Sequence, residues 1–247
     1  LLKNSKLRKL VIPENTLTDR GIALLAAHTN LHTLDISHNN SLGDDNILKL
    51  AIHPTITDLK VRNCGLTSRS IVPLLSNHLL QSLDISENDC RDEAIGAALG
   101  CNTTLQSFTA NFIGFKIPGR GFMHFNNINS SQHDNPDHPD IKILETIIEN
   151  LCSGIQKNRC LKKVSLEVSA ITDRAVAMLA LNHSLAEVKL DRLTKNSIAL
   201  FNNHPTIKHL DLQGDINDED SQKLIQGNNQ LKTLRLHPRQ TNRANPF

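Results

Sequence analysis

One pattern constrains this chain more than any other feature: a motif of the form L-x-x-L-x-L, with other apolar residues allowed at the L places, returns nine times. Its first positions are Leu7, Leu31, Ile56, Leu80, Leu105, Leu161, Leu185, Ile207 and Leu231, at steps of 24, 25, 24, 25, 56, 24, 22 and 24 residues. The fourth positions are Leu10, Leu34, Leu59, Leu83, Phe108, Val164, Val188, Leu210 and Leu234. The sixth are Ile12, Ile36, Val61, Ile85, Ala110, Leu166, Leu190, Leu212 and Leu236. Self-similarity at this period is the signature of stacked repeats.

Alternation between the fourth and sixth places describes a short strand with one buried face. A second apolar set follows at helical spacing: Ile22, Leu24 and Leu25, then Ile47, Leu48 and Leu50, then Ile71, Leu74 and Leu75. Each unit therefore reads as strand, turn and short helix. Such a unit cannot bury its apolar side alone, whereas stacked neighbours can.

Two polar columns support this register. Twelve residues after the first position stand Asp19, Ser68, Asp92, Asp173 and Glu219, suited to a helix N-terminus, with the Asp and Ser residues expected as caps. Three residues before the next unit stand His28, His53, Asn77, Asn102, Asn158, Asn182, His204 and Asn228, which can satisfy backbone groups where the helix ends. Asn4 precedes Leu7 by the same three residues, so Leu1–Lys6 reads as the tail of a preceding repeat and the chain as N-terminally truncated.

Composition agrees with many small layers. The chain has 247 residues with seven Phe and neither Trp nor Tyr, so Leu and Ile must supply the core. With 27 basic and 25 acidic residues the net charge is +2, which argues against a nucleic-acid or membrane binder driven by bulk charge. No apolar run is long enough to span a bilayer. Five cysteines without a close pair fit neither a disulfide scaffold nor a zinc ribbon. Of the sequons at Asn39, Asn102, Asn129 and Asn182, the second and fourth fall at buried places, and a reducing compartment is expected.

The pattern resembles the leucine-rich repeat family, with the ninth-position Asn present at Asn15, Asn39 and Asn88, an allowed Cys64, and the match lost at Ile113, Ser169, Leu193 and Asp215. Irregular turns are expected at those four places. The helical halves Asp19-Arg-Gly-Ile-Ala-Leu-Leu, Asp92-Glu-Ala-Ile-Gly-Ala-Ala-Leu-Gly and Asp173-Arg-Ala-Val-Ala-Met-Leu resemble the 24-residue repeats of bacterial effectors, both the GALA type and those of intracellular pathogens. The resemblance implies an α/β leucine-rich repeat solenoid, with parallel strands on the concave face and short helices on the convex face. It further implies a monomeric, non-enzymatic domain delivered into a host cytosol to bind a host protein. An alternative is the substrate-recognition part of a ubiquitin ligase adaptor. A third reading is an enzyme with its site in the insertion described next.

The 56-residue step places an insertion, residues 114–140, inside the fifth of about nine units of a single domain spanning 1–247. Phe108, Phe112, Phe115, Phe122 and Phe125 cluster around its start. Phe108 and Phe112 either plug a gap in the stack or meet a partner; Phe115, Phe122 and Phe125 are candidates for partner contact. A helix of about twice the usual length follows, with Ile141, Leu144, Ile148, Leu151 and Ile155 on one face and a cap from Asp137 or Asp140.

Catalytic and metal motifs are weak. His133, Asp134, Asp137, His138 and Asp140 have metal-ligand chemistry without a metal motif's spacing, so no cofactor is expected. Cys90-Arg-Asp92 has the C-x-D form of some bacterial ubiquitin ligases, but Cys90 stands at an apolar turn place and Asp92 at a cap. The strands offer a surface instead. The fifth column alternates in sign through Asp35, Lys60, Asp84, Lys189 and Asp211, and His38, Arg62, Glu87 and Arg192 extend it. Neighbours in such a column can pair. The face is either a self-satisfied polar surface or a mixed-charge site for a protein.

Overall fold

The computed structural model describes residues 4–111, 115–117, 121–123, 139–168, 171–214 and 216–238, with the backbone alone at 115–117, 121–123, 140 and 238. The strands are β1 (Lys9–Val11), β2 (Thr33–Asp35), β3 (Asp58–Lys60), β4 (Ser82–Asp84), β5 (Ser107–Thr109), β6 (Phe115–Ile117), β7 (Gly121–Met123), β8 (Lys163–Leu166), β9 (Glu187–Leu193), β10 (His209–Gly214) and β11 (Thr233–Pro238). The helices are α1 (Asp19–Ala26), α2 (Gly43–Ala51), α3 (Ser68–Leu75), α4 (Glu93–Cys101), α5 (Pro139–Lys157), α6 (Asp173–Ala180), α7 (Lys195–Ala199) and α8 (Asp218–Gly227). Nine strands form one parallel sheet in the order β1-β2-β3-β4-β5-β8-β9-β10-β11, and β6 and β7 form a separate antiparallel hairpin.

The register reproduces the repeat columns. Leu10 pairs with Leu34, Leu34 with Leu59, Leu59 with Leu83 and Leu83 with Phe108. Across the insertion, Phe108 pairs with Val164 and the ladder continues to Val188, Leu210 and Leu234. The inner fourth and sixth positions are buried, whereas Leu10, Ile12, Leu234 and Leu236 in the outermost units are only partly so. That gradient follows from stacking, since a terminal layer is covered on one side. Phe108 is fully buried and takes its column's place in the core.

The Asn/His column ties each layer to the one before. The Asn158 amide donates to the carbonyls of Leu99 and Asn102 at 2.8 Å, and its Oδ1 accepts from the Cys160 and Leu161 amides. Asn102 and Asn182 repeat the scheme. His53 and His204 imitate it by accepting two backbone N–H groups on Nδ1, which requires a neutral ring. Burial holds both imidazoles below their ordinary value of 6.5. A folded-state value below the unfolded one means that this stability is complete above pH of about 6.5 and declines as the pH falls further. Thermal melts should therefore weaken below about pH 6.5, and a His53→Asn/His204→Asn variant should lose part of that acid sensitivity. An unchanged pH profile in the double variant would remove these rings from the account.

Helix caps correct the sequence reading by one residue. Thr18, Thr67, Thr172, Thr194 and Asn217 accept the first-turn N–H groups, while Asp19, Ser68 and Asp173 are the first helical residues and Glu219 lies within the first turn. Asp92 alone caps as expected, accepting from Ala94 N. Thr and Asp or Ser stand side by side, and both residue types suit the place. First-turn acids bridge layers instead: Asp19 accepts from Asn46 Nδ2 at 2.7 Å. Asp44 accepts from Thr67 Oγ1 and Ser70 Oγ, both at 2.6 Å, and Asp173 accepts from Thr194 Oγ1 and Ser197 Oγ.

The ninth-position Asn ladder is shorter than its motif. Asn39 and Asn88 are buried, each amide donating to the carbonyls of its own turn and each Oδ1 accepting from the preceding unit's backbone. Asn15 is exposed and bonds only locally, to Pro13 O. At the eighth position Glu14, His38, Asn63 and Glu87 turn the chain with positive φ. Of the four places where the Asn is lost, Ile113, Ser169 and Asp215 lie outside the described residues; at Leu193 and in the strand after it the ladder lengthens. β9 has seven residues and β10 six, against three in β1 to β5. The expected irregularity takes the form of a register shift between Leu212 and Gly214, where Gly214 lies against the Leu193 backbone. The 22-residue unit shortens its helix to the five residues of α7, and fully buried Phe201 occupies the core just beyond it.

α5 runs 19 residues, begins at Pro139 and buries Ile141, Leu144, Ile148, Leu151 and Ile155, as its sequence pattern requires. Asp140 lies inside this helix; Asp137 lies outside the described residues. α5 packs between α4 and α6, so the unit that carries the insertion keeps its place in the helical layer.

Candidate interaction surface

In a three-residue strand the central side chain enters the core and its two neighbours face away from it. The third, fifth, seventh and eighth positions consequently share the open face of the sheet. Asp35, Lys60, Asp84, Lys189 and Asp211 occupy the fifth position on β2, β3, β4, β9 and β10; His38, Arg62 and Glu87 lie on the turns beyond, and Arg192 lies near the end of β9. Lys60 is exposed, whereas the other eight are half-buried. Phe112 and Phe125 lie outside the described residues, as do His133, Asp134 and His138. Phe115 and Phe122 fall on the paired strands β6 and β7.

Pairing along the fifth column is present between the register partners Asp211 and Arg235, and direct third-column and diagonal pairs join it elsewhere. Arg62 forms an ion pair with Glu87, and Arg62 Nε donates to Glu87 Oε1 at 3.0 Å. Lys189 lies 2.8 Å from Glu167, a contact that raises its pKa, and Lys163 lies 2.7 Å from Glu187. Asp211 faces His237 at 3.1 Å and Arg235 at 3.9 Å. Long side chains reach diagonal as well as direct neighbours across a ladder.

A hydrogen-bonded line crosses the insertion point. Ser86 Oγ donates to Asp84 at 2.5 Å and accepts from the Asn111 amide N–H at 2.9 Å. Asn111 Oδ1 then accepts from Ser165 Oγ and Glu167 N, and its Nδ2 donates to Glu167. This line joins β4, β5, β8 and, through Glu167, Lys189 on β9. Sequence reasoning passed over Ser86, Asn111 and Glu167. Reading the seventh column across the 56-residue step would have found them, since it runs Ser37, Arg62, Ser86, Asn111, Glu167.

Lys60 stands apart from this network. Its fifth-position neighbours Asp35 and Asp84 accept from the backbone N–H of Ser37 and Ser86 in their own turns. Among the described residues, none makes an ion pair or side-chain hydrogen bond with Lys60. Toward the other end, Glu187, Lys189, His209, Leu210, Asp211, Thr233 and Arg235 line a shallow depression of about 200 Å³.

Catalytic chemistry finds little support at Cys90-Arg-Asp92. Cys90 is buried and burial pushes its thiol up, the reverse of an activated nucleophile, while Asp92 is occupied as a cap. Among the described residues, no group of three or more His, Cys, Asp or Glu side chains is placed to hold a metal. Nor is any described helix long and apolar enough to cross a membrane.

Known proteins place the architecture. A sequence model described as Leucine Rich repeat matches residues 27–51, a stretch one repeat long. A search of curated protein sequences returns no significant match. Among solved structures, a chain from the crystal structure of a TLR13–ssRNA13 complex superposes with a TM-score of 0.52 at 18% identity, covering 94% of this chain and 29% of that one. The fold is a leucine-rich repeat solenoid. A yeast chain from the Rad7 and Elc1 complex is also similar, at 16% identity and a TM-score of 0.37, covering 92% of this chain and 74% of that one. The leucine-rich repeat units here thus present one continuous polar sheet face, bonded internally from β4 to β9 and open at Lys60.

Proposed function

We propose that this leucine-rich repeat chain is a protein-recognition module that binds its partner across the concave sheet face, without catalysis of its own. The observation that carries this reading is exposed Lys60, whose flanking carboxylates are engaged in their own turns. A cation without an ion pair among the described residues, beside a mixed-sign surface, suits a partner with complementary charge. TLR13 was crystallised with single-stranded RNA; the carboxylates of Asp35, Asp84, Glu87 and Asp211 on this face disfavour a polyanion and favour a protein.

The GALA-like helical halves support a finer reading, that of a bacterial effector domain acting on a host protein in the host cytosol. Five free cysteines suit a reducing compartment. So do the sequon residues Asn39, Asn102 and Asn182, which are buried in hydrogen bonds that glycosylation would break.

The test is quantitative capture from eukaryotic cell lysate. A protein retained by the parent should be lost with Lys60→Glu/Arg62→Glu and kept with Arg174→Glu on the helical side. Equal retention by all three would move the binding site off the sheet face.

A further inference from the structure

The near-zero net charge conceals a segregation. Helices of a parallel solenoid all point the same way, so their N-termini line one rim and their C-termini, with the strand starts, line the other. Acidic residues outnumber basic ones in the helix first turns, with Asp19, Asp44, Asp45, Glu93, Asp173, Asp218, Glu219 and Asp220 against Arg20, Arg69, Lys142, Arg174 and Lys195. The opposite rim, from the end of α5 to the start of β11, carries Lys157, Arg159, Lys162, Lys208 and Lys232, all exposed. None of the five forms an ion pair or side-chain hydrogen bond with a described residue. Glu187, the carboxylate beside them, is already paired with Lys163.

Three of these cations are in register. Ala186 N donates to Lys162 O, Lys208 N to Ala186 O and Lys232 N to Lys208 O, at 2.8, 2.8 and 2.7 Å. Lys162, Lys208 and Lys232 therefore stand on the first, third and fourth of four successive rungs, with Ala186 on the second. At ~4.8 Å per rung the row spans roughly 14 Å. The dipoles of the helix C-termini account for basic residues close to helix ends, such as Lys157. They do not account for lysines at strand starts.

We infer that this rim docks an acidic, Asp/Glu-rich segment of the protein partner, laid across β8 to β11 at the strand starts. The inference rests on the protein-recognition reading and names a second contact for the same partner. An acidic peptide fits better than a nucleic acid. No Phe, Tyr or Trp lines the adjoining depression, so it offers no large ring on which successive bases could stack.

The experiment titrates two labelled probes, a peptide of about ten glutamates and a uridine RNA of similar length, at roughly 50 and 150 mM salt. The parent should bind the peptide more tightly than the RNA and more weakly at the higher salt. Lys162→Glu/Lys208→Glu/Lys232→Glu should lose roughly tenfold or more in peptide affinity with an unchanged melting temperature. Lys60→Glu/Arg62→Glu should leave peptide binding intact, which separates failure of this inference from failure of the concave-face reading. Peptide affinity equal in the parent and the triple variant, or tighter binding of the RNA, overturns the proposal.

Discussion

Replacing Gly96 or Gly154 with Ala should destabilise the protein by about 3 kcal/mol or more, lowering the main melting transition by roughly 5–10 °C. A Cβ at Gly96 would stand 2.2 Å from Asn150 O, and one at Gly154 would stand 2.1 Å from Gly96 O. Both obstructions are backbone, so no rotamer change relieves them, and α4 and α5 would have to separate along their shared length. Gly100, one turn further along α4, provides the control. A Cβ there meets Gly154 O at 3.4 Å, an ordinary contact. Gly100→Ala should therefore be neutral or stabilising by up to about 1 kcal/mol, through helix propensity. Equal tolerance of Ala at all three positions in thermal melts would mean that the two helices are not in backbone contact.

The second large effect is expected at Asn158. This fully buried side chain makes four hydrogen bonds, two to carbonyls at the end of the preceding unit and two from N–H groups of its own turn. Asn158→Ala strands all four backbone groups. At ~1–3 kcal/mol for each unmet group, with partial rescue by water, the cost should reach roughly 3 kcal/mol or more. Because coupling in a solenoid is between nearest neighbours, the loss should appear as a split or broadened denaturant transition rather than a uniform shift. Asn158→His should recover part of the loss, because His53 and His204 hold equivalent turns through a single ring nitrogen. Indistinguishable Ala and His variants would show that accepting the two N–H groups contributes little.

The repeat columns made the sheet legible. A parallel ladder in a solenoid must align equivalent residues, and apolar residues at the first, fourth and sixth places identify them even across a 56-residue step. Helix starts were less legible because Thr18-Asp19 and Thr172-Asp173 each offer two capping residues, and side-chain reach decides between them. The exposed Asn15 shows the limit of a motif match, since the same residue type at the same offset is buried at Asn39 and Asn88. Asn39 and Asn88 accept from the turn of the unit before, and among the described residues no strand precedes β1 in the sheet.

The surface was legible by column but not by contact. Placing Lys189 and Asp211 on one face needed only the period of two. Predicting that Lys189 would meet Glu167 and Arg62 would meet Glu87 needed side-chain direction, which spacing does not encode. Gly96 and Gly154 carried no recognisable signal, because their role depends on how closely two helices approach. The charge segregation was hidden for a different reason: a net total adds the two rims together, and only the common direction of the helices separates them.

The most direct test concerns continuity of the sheet across the insertion. Thr109 on β5 and Ser165 on β8 are register partners, although 56 residues separate them in the chain. With Cys101 and Cys160 replaced by Ser, a Thr109→Cys/Ser165→Cys variant should form an intramolecular disulfide under mild oxidation, because adjacent strands put the Cα atoms within the usual ~4.4–6.8 Å range. Thr109→Cys/Lys189→Cys, two strands apart, should not. A disulfide in the first variant alone is the predicted result; its absence there, or equal cross-linking in both, would contradict a single stack of layers running through the insertion.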